Sequence, residues 1–287
     1  MSASVSSAPG VPSGLPETFK TLVPSARMPV LFLGHGSPMN AIEDNEYRRS
    51  WQALGAEFGV KYPRPQLILC ISAHWLTRGW WLTGMPQPKT IHDFGGFPQA
   101  LFDQQYPAPG APLAAREISR SFKSPQVGLD PQEWGFDHGS WSVIKPMFPK
   151  ADIPMVQLSI DYDRPAVEHF AIGQQLKALR DKGVLIVGSG NTVHNLRALR
   201  RDMPTMQAYD WAIEFDRFTA DHIGQGDLSA LAGFHKLGKV AQMAHPTHDH
   251  FLPLLYSAGA ADAKEPARFF NANYQMGAIA MRSVVWG

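Results

Sequence analysis

A single cysteine, Cys70, leaves this chain unable to form an internal disulfide and rules out a zinc finger built on cysteine pairs. Its formal net charge is only +1, so there is no charge excess to suggest a nucleic-acid or membrane-surface partner. No apolar run approaches the roughly 18 residues of a membrane-spanning helix. Residues 1–20, rich in Ser, Ala, Pro and Gly, lack the basic-then-apolar order of a secretory signal. The expectation is a loosely packed tail over residues 1–26 and a cytoplasmic protein. Several short catalytic signatures are missing too. There is no H-E-x-x-H, no H-x-E paired with P-C-x-x-C, no phosphate loop, no G-x-G-x-x-G after a strand and no G-x-S-x-G elbow.

What the chain does have is enough apolar content, 44% of 287 residues, for a substantial core. No composition shift marks a linker and no repeat is visible, so residues 27–287 read as one domain. Short apolar runs near residues 28–33, 67–72, 155–160 and 184–190, bounded by Gly and Pro, predict strands buried on both faces. Helical spacing of Tyr47, Trp51 and Leu54 predicts a helix over 45–58 capped by Asn45. Further helices are expected at 114–122, 143–147, 165–182 and 209–222, with a closing strand over 278–285. Strands alternating with helices predict an α/β fold: a central, mostly parallel or mixed sheet with helices on both faces.

Histidines stand at the exits of the apolar runs. His35 follows the first, His74 the second, and His194 lies just beyond the run ending at Gly190. Ligands of open α/β sheets collect beyond the carboxyl ends of the strands. A lone histidine there is more often a hydrogen-bonded scaffold residue, but three in one context, flanked by small residues, point to a metal site at that edge. His138 lies in an aromatic loop, and His245, His248 and His250 crowd one short segment. His92 reads either as functional or as a partner for a loop carbonyl. His169, His222 and His235 read as surface residues. From the residues alone, the chain is a histidine-rich metalloenzyme.

Six motifs then occur in order: Gly34-His35-Gly36-Ser37-Pro38-Met39-Asn40, Ser72-Ala73-His74-Trp75, His92-Asp93-Phe94-Gly95-Gly96-Phe97-Pro98, Phe136-Asp137-His138-Gly139-Ser140-Trp141, Asn191-Thr192-Val193-His194-Asn195 and His250-Phe251-Leu252-Pro253. Together they resemble the class III extradiol ring-cleavage dioxygenases of the LigB-like group, in the DOPA-extradiol-dioxygenase branch. The resemblance implies an oxidoreductase that opens a small, DOPA-like catechol with dioxygen. It implies one divalent metal, with Fe(II) expected for turnover and Zn(II) as an alternative resident ion. The implied ligands are His35, His74 and His250. His194 is implied as the acid–base residue or a fourth ligand, and His138 as a catalytic residue lining the pocket. His245 and His248 are alternatives to His250. Phe94, Phe97, Trp75 and Trp141 are candidates for the pocket wall. The protocatechuate-cleaving members use two histidines and a carboxylate, whereas the third position here reads as His250. A zinc-dependent hydrolase on the same site is the rival reading.

Overall fold

The computed structural model of the protein describes residues 22–287. Most of the tail expected over 1–26 therefore lies outside the described residues. Residues 22–26 are held against the domain, with the Ser25 amide donating to the Asp181 carbonyl at 2.8 Å.

The main sheet has eight strands: β1 (Val30–Gly34), β2 (Leu67–Thr77), β3 (Trp80–Thr83), β4 (Val127–Asp130), β5 (Met155–Asp161), β6 (Val184–Gly190), β7 (Ala267–Phe270) and β8 (Ser283–Trp286). Their spatial order is β7-β8-β1-β6-β2-β5-β3-β4. The centre, β1-β6-β2-β5, is parallel; β8 joins it antiparallel to β1, and β3 antiparallel to β5. This is the mixed α/β sheet that the apolar runs predict. The runs are continuous because both faces are covered. Val30 and Phe32 of β1 enter one core while Leu31 and Leu33 enter the other. Fully burying such a side chain is worth about 1.5–3 kcal/mol, so a polar residue at any of these positions would be costly.

Of the described α-helices nine residues or longer, two lie on one face, α1 (Glu46–Glu57) and α3 (His138–Met147). Four lie on the other: α2 (Pro112–Ser121), α4 (Ala166–Leu176), α5 (Asp210–Gln225) and α6 (Leu252–Ala260). Asn45 caps α1, accepting from the Arg48 amide at 3.0 Å. The helix expected over 165–182 is α-helical only to Leu176; Lys177–Lys182 tightens into 3-10 geometry before Gly183, at φ +70°, turns the chain into β6.

Three expectations are corrected here. The closing strand divides: Ile279–Ala280 pairs with Val193–His194, and only Ser283–Trp286 joins the main sheet. α3 begins at His138 rather than near residue 143, because the Asp137 side chain accepts from the Ser140 amide and caps the helix there. His169 is fully buried, not at the surface. Its Nε2 donates to the Arg164 carbonyl, and its Nδ1 accepts from Tyr256, whose oxygen in turn accepts from Trp80 Nε1.

Candidate metal centre and active site

Neighbouring parallel strands end at the same edge of a sheet, roughly 4.8 Å apart. β1, β6 and β2 therefore deliver their following residues to one place. His35 comes directly off β1, its amide donating to the Gly190 carbonyl at 3.0 Å. His74 arrives differently, because β2 continues past Ser72 to Thr77. Ile71 pairs with Leu158, but the next paired residue, Leu76, meets Ile160. The stretch 72–75 is longer than its partner and bulges, which pushes His74 out of the ladder. His194 is on the short strand Val193–His194 beyond β6.

His250 belongs to the turn entering α6, and the Asn191 amide ties that turn to the end of β6 by donating to the His250 carbonyl at 2.9 Å. The approach requires glycine: a Cβ on Gly190 would stand 2.2 Å from that carbonyl oxygen.

The result is one cluster. One ligand nitrogen from each of His35, His74 and His250 lies within 4.8 Å of the others. Each Nδ1 faces an acceptor. Ser189 Oγ donates to the Gly139 carbonyl, so it accepts from His35 Nδ1 at 3.0 Å. His250 Nδ1 donates to Asp249 at 2.6 Å, and His74 Nδ1 lies 3.2 Å from Asp93 Oδ2. With the proton on Nδ1 in each ring, as those acceptors favour, the lone pair is on Nε2.

The Nε2 atoms of His35 and His74 are 3.4 Å apart. Two lone pairs facing each other at that distance repel unless a cation lies between them, and this donor set fits a divalent metal. The electrostatics agree for two of the three donors. Burial, reinforced by neighbouring imidazoles, holds His35 and His250 well below the ordinary histidine range, in the neutral form that a metal needs. Burial opposes the charged form of His74 too, but the hydrogen bond to Asp93 and the charge of Asp137 outweigh it and its pKa rises.

His194 lies beside the donors rather than among them. Its ring stacks on His250 at 3.5 Å with 3° between planes. Burial, opposed by Asp249, lowers its pKa to about 4. His138 lies on the other side, its ring centre 3.9 Å from that of His74. Burial and the charge of His74 push its pKa down.

The remaining expected residues divide. His245 is buried away from the donors, its Nε2 donating to the Thr192 carbonyl at 2.8 Å, and His248 packs edge-on against Phe234. His92 donates to the Gln104 carbonyl at 2.8 Å. Phe94 approaches His138 with ring centres 5.4 Å apart and contacts Phe97. Trp141 is completely buried with its indole donating to the Ile91 carbonyl, and Trp75 stacks on Trp134.

Sequence reasoning missed two of the acidic partners, Asp93 and Asp137. Asp93 lies between His74 and His138. The fully buried Asp137 accepts from Ser72 Oγ at 2.6 Å and from Gln157 Nε2, which fastens the bulge of β2 to the start of α3. Both lie beside a motif histidine, and that adjacency was the only available signal.

Comparison with known proteins adds a family. Residues 29–283 match the family described as "Catalytic LigB subunit of aromatic ring-opening dioxygenase". The chain is 48% identical over 271 residues to the 4,5-DOPA dioxygenase extradiol of Escherichia coli K12, covering 93% of this chain and 97% of that protein. It is 33% identical over 262 residues to the protein of the same name from Portulaca grandiflora, covering 88% and 93%. A crystal structure of an uncharacterized E. coli K12 protein superimposes with a TM-score of 0.76 at 43% identity, covering 91% of this chain and all of that one.

Proposed function

The chain belongs to the LigB family and is an extradiol ring-cleaving dioxygenase; from that premise we propose that it opens a small, DOPA-like catechol at a metal held by His35, His74 and His250. The observation that carries this reading is the convergence of one ring nitrogen each from His35, His74 and His250, with an acceptor facing every Nδ1. Matching relatives named as dioxygenases give the hydrolase alternative no support. DOPA is part of the relatives' names, and a catechol with an amino-acid side chain is the substrate proposed from them.

An all-imidazole donor set is uncharged and accommodates Fe(II) and Zn(II) alike, with Fe(II) the ion proposed for turnover. When bound, the metal supplies Lewis acidity toward the diol and redox capacity toward dioxygen. The protein's own residues do the rest. His194, neutral at physiological pH, is placed to take a phenolic proton as the diol enters. The proton is proposed to return from His194, or from His138 across the donor set where that ring has taken the second phenolic proton, as the ring bond beside the diol breaks and both oxygen atoms are incorporated. Phe94 stands against His138 as an apolar wall that excludes water. Among the described residues no helix is long and apolar enough to cross a membrane.

The test is anaerobic loading with Fe(II), then oxygen uptake with L-DOPA and with simple catechols. Stoichiometric uptake with a yellow ring-opened product supports the reading. Absence of uptake with every catechol from a fully loaded protein refutes it.

A further inference from the structure

Asp93 lies against both His74 and His138, and it does so from an anchored loop. The Ile91 amide donates to the Phe136 carbonyl at 2.7 Å, and Trp141 Nε1 donates to the Ile91 carbonyl at 2.9 Å. His92, the next residue, is fixed through the Gln104 carbonyl. The carboxylate is thus held in place before any ligand arrives. Its two oxygens face different partners. Oδ1 accepts from the His138 backbone amide at 2.9 Å, with His138 Nδ1 3.0 Å away but off the line of a hydrogen bond. Oδ2 faces His74 Nδ1 at 3.2 Å.

We propose that Asp93 is a positioning residue shared by a metal-ligating and a proton-transferring histidine: it fixes the tautomer of His74, so that the bare Nε2 points at the metal, and holds His138 against that same ring. The proposal rests on the reading of His35, His74 and His250 as the metal donors. A carboxylate can do this because both of its oxygens accept. An amide cannot. The His138 backbone N–H would claim the amide oxygen of an asparagine at 93, which leaves the NH₂ group facing His74 Nδ1. That nitrogen would then have to accept, and the His74 proton would move to Nε2, into the metal position.

Asp93→Asn therefore makes a specific defect that a residue serving only the fold would not. Long-range ¹H–¹⁵N spectra of the histidine rings, recorded on metal-free protein at about pH 8.5, well above the ordinary histidine value, read the tautomer directly. The wild-type protein is expected to show His74 protonated on Nδ1, and Asp93→Asn to show it protonated on Nε2. Cobalt(II) titration followed by visible absorption is expected to show affinity about 10–100-fold weaker in the variant, the usual effect of losing a residue that orients a ligand. Asp93→Ala, which removes the carboxylate without supplying a donor, is expected to give a mixture of the two tautomers, and serves if the asparagine variant does not fold. An unchanged His74 tautomer in a folded variant, or cobalt affinity equal to wild type, overturns the proposal. If wild-type protein itself does not bind cobalt(II), the metal reading and this inference fall together.

Discussion

The rings of His194 and His250 lie parallel, 3.5 Å apart with 3° between their planes. One of them belongs to the converging donors and the other does not. On the proposed reading His250 holds the ion and His194, stacked against it, moves the proton. His194→Gln is therefore expected to retain the metal and lose turnover by about 10²–10⁴-fold, the range for a general acid–base residue. Metal content by elemental analysis and kcat on the same preparation check it. Loss of metal with the activity would make His194 a ligand instead.

Removing an orienting partner should weaken metal affinity as well as the fold. Ser189→Ala takes away the hydroxyl that accepts from His35 Nδ1. Metal affinity is expected to fall about 10–100-fold, and the metal-free protein to lose about 1–3 kcal/mol because the Gly139 carbonyl and His35 Nδ1 each lose a buried partner. Competition with a chelator of known affinity provides the measurement.

Gly190→Ala tests the backbone approach that brings His250 in. The new Cβ would lie 2.2 Å from a main-chain oxygen, which no rotamer change relieves. Destabilisation of about 1–3 kcal/mol is expected, with weakened metal binding, from urea melts with and without metal.

A fourth expectation concerns pH. His169 is held neutral by burial, against the opposing hydrogen bond to the Arg164 carbonyl and the charge of Asp161, and its pKa falls to about 4. In the unfolded chain it titrates near 6.5. The folded state binds this proton less readily, so the stabilisation is present above pH 6.5 and is lost as pH falls toward 4. A tenfold change in proton affinity is worth roughly 1.4 kcal/mol, which makes the loss about 3 kcal/mol. His169→Gln removes the titrating group, and the difference between the two proteins in unfolding free energy should shrink across that interval. Parallel curves between pH 6.5 and 4 would show that His169 does not titrate differently on folding.

These residues also show how far the amino-acid order reaches. His35 and His194 were legible because strands covered on both faces are unbroken apolar runs, and the residue after such a run falls at the sheet edge. His74 was legible as a site residue, but the strand carrying it runs on to Thr77, and no local signal announces a bulge that depends on β5. Asp93 was not legible, since its role comes from partners at positions 74 and 138 that only the folded chain brings together. His169 was misplaced for the same reason: its hydrogen-bond partner Tyr256 is on another helix, 87 residues away. The closing strand divided because Ile279–Ala280 finds its partner outside the main sheet, at Val193–His194.

The central claim is that three imidazoles from distant parts of the chain bind one ion through Nε2. Anomalous diffraction at the iron edge, from crystals loaded with Fe(II) under nitrogen, addresses it most directly. The account predicts a single strong peak bonded to Nε2 of His35, His74 and His250, with room left between His138 and His194. A peak coordinated by another set of residues, or none at that position in protein that has taken up iron, would contradict it.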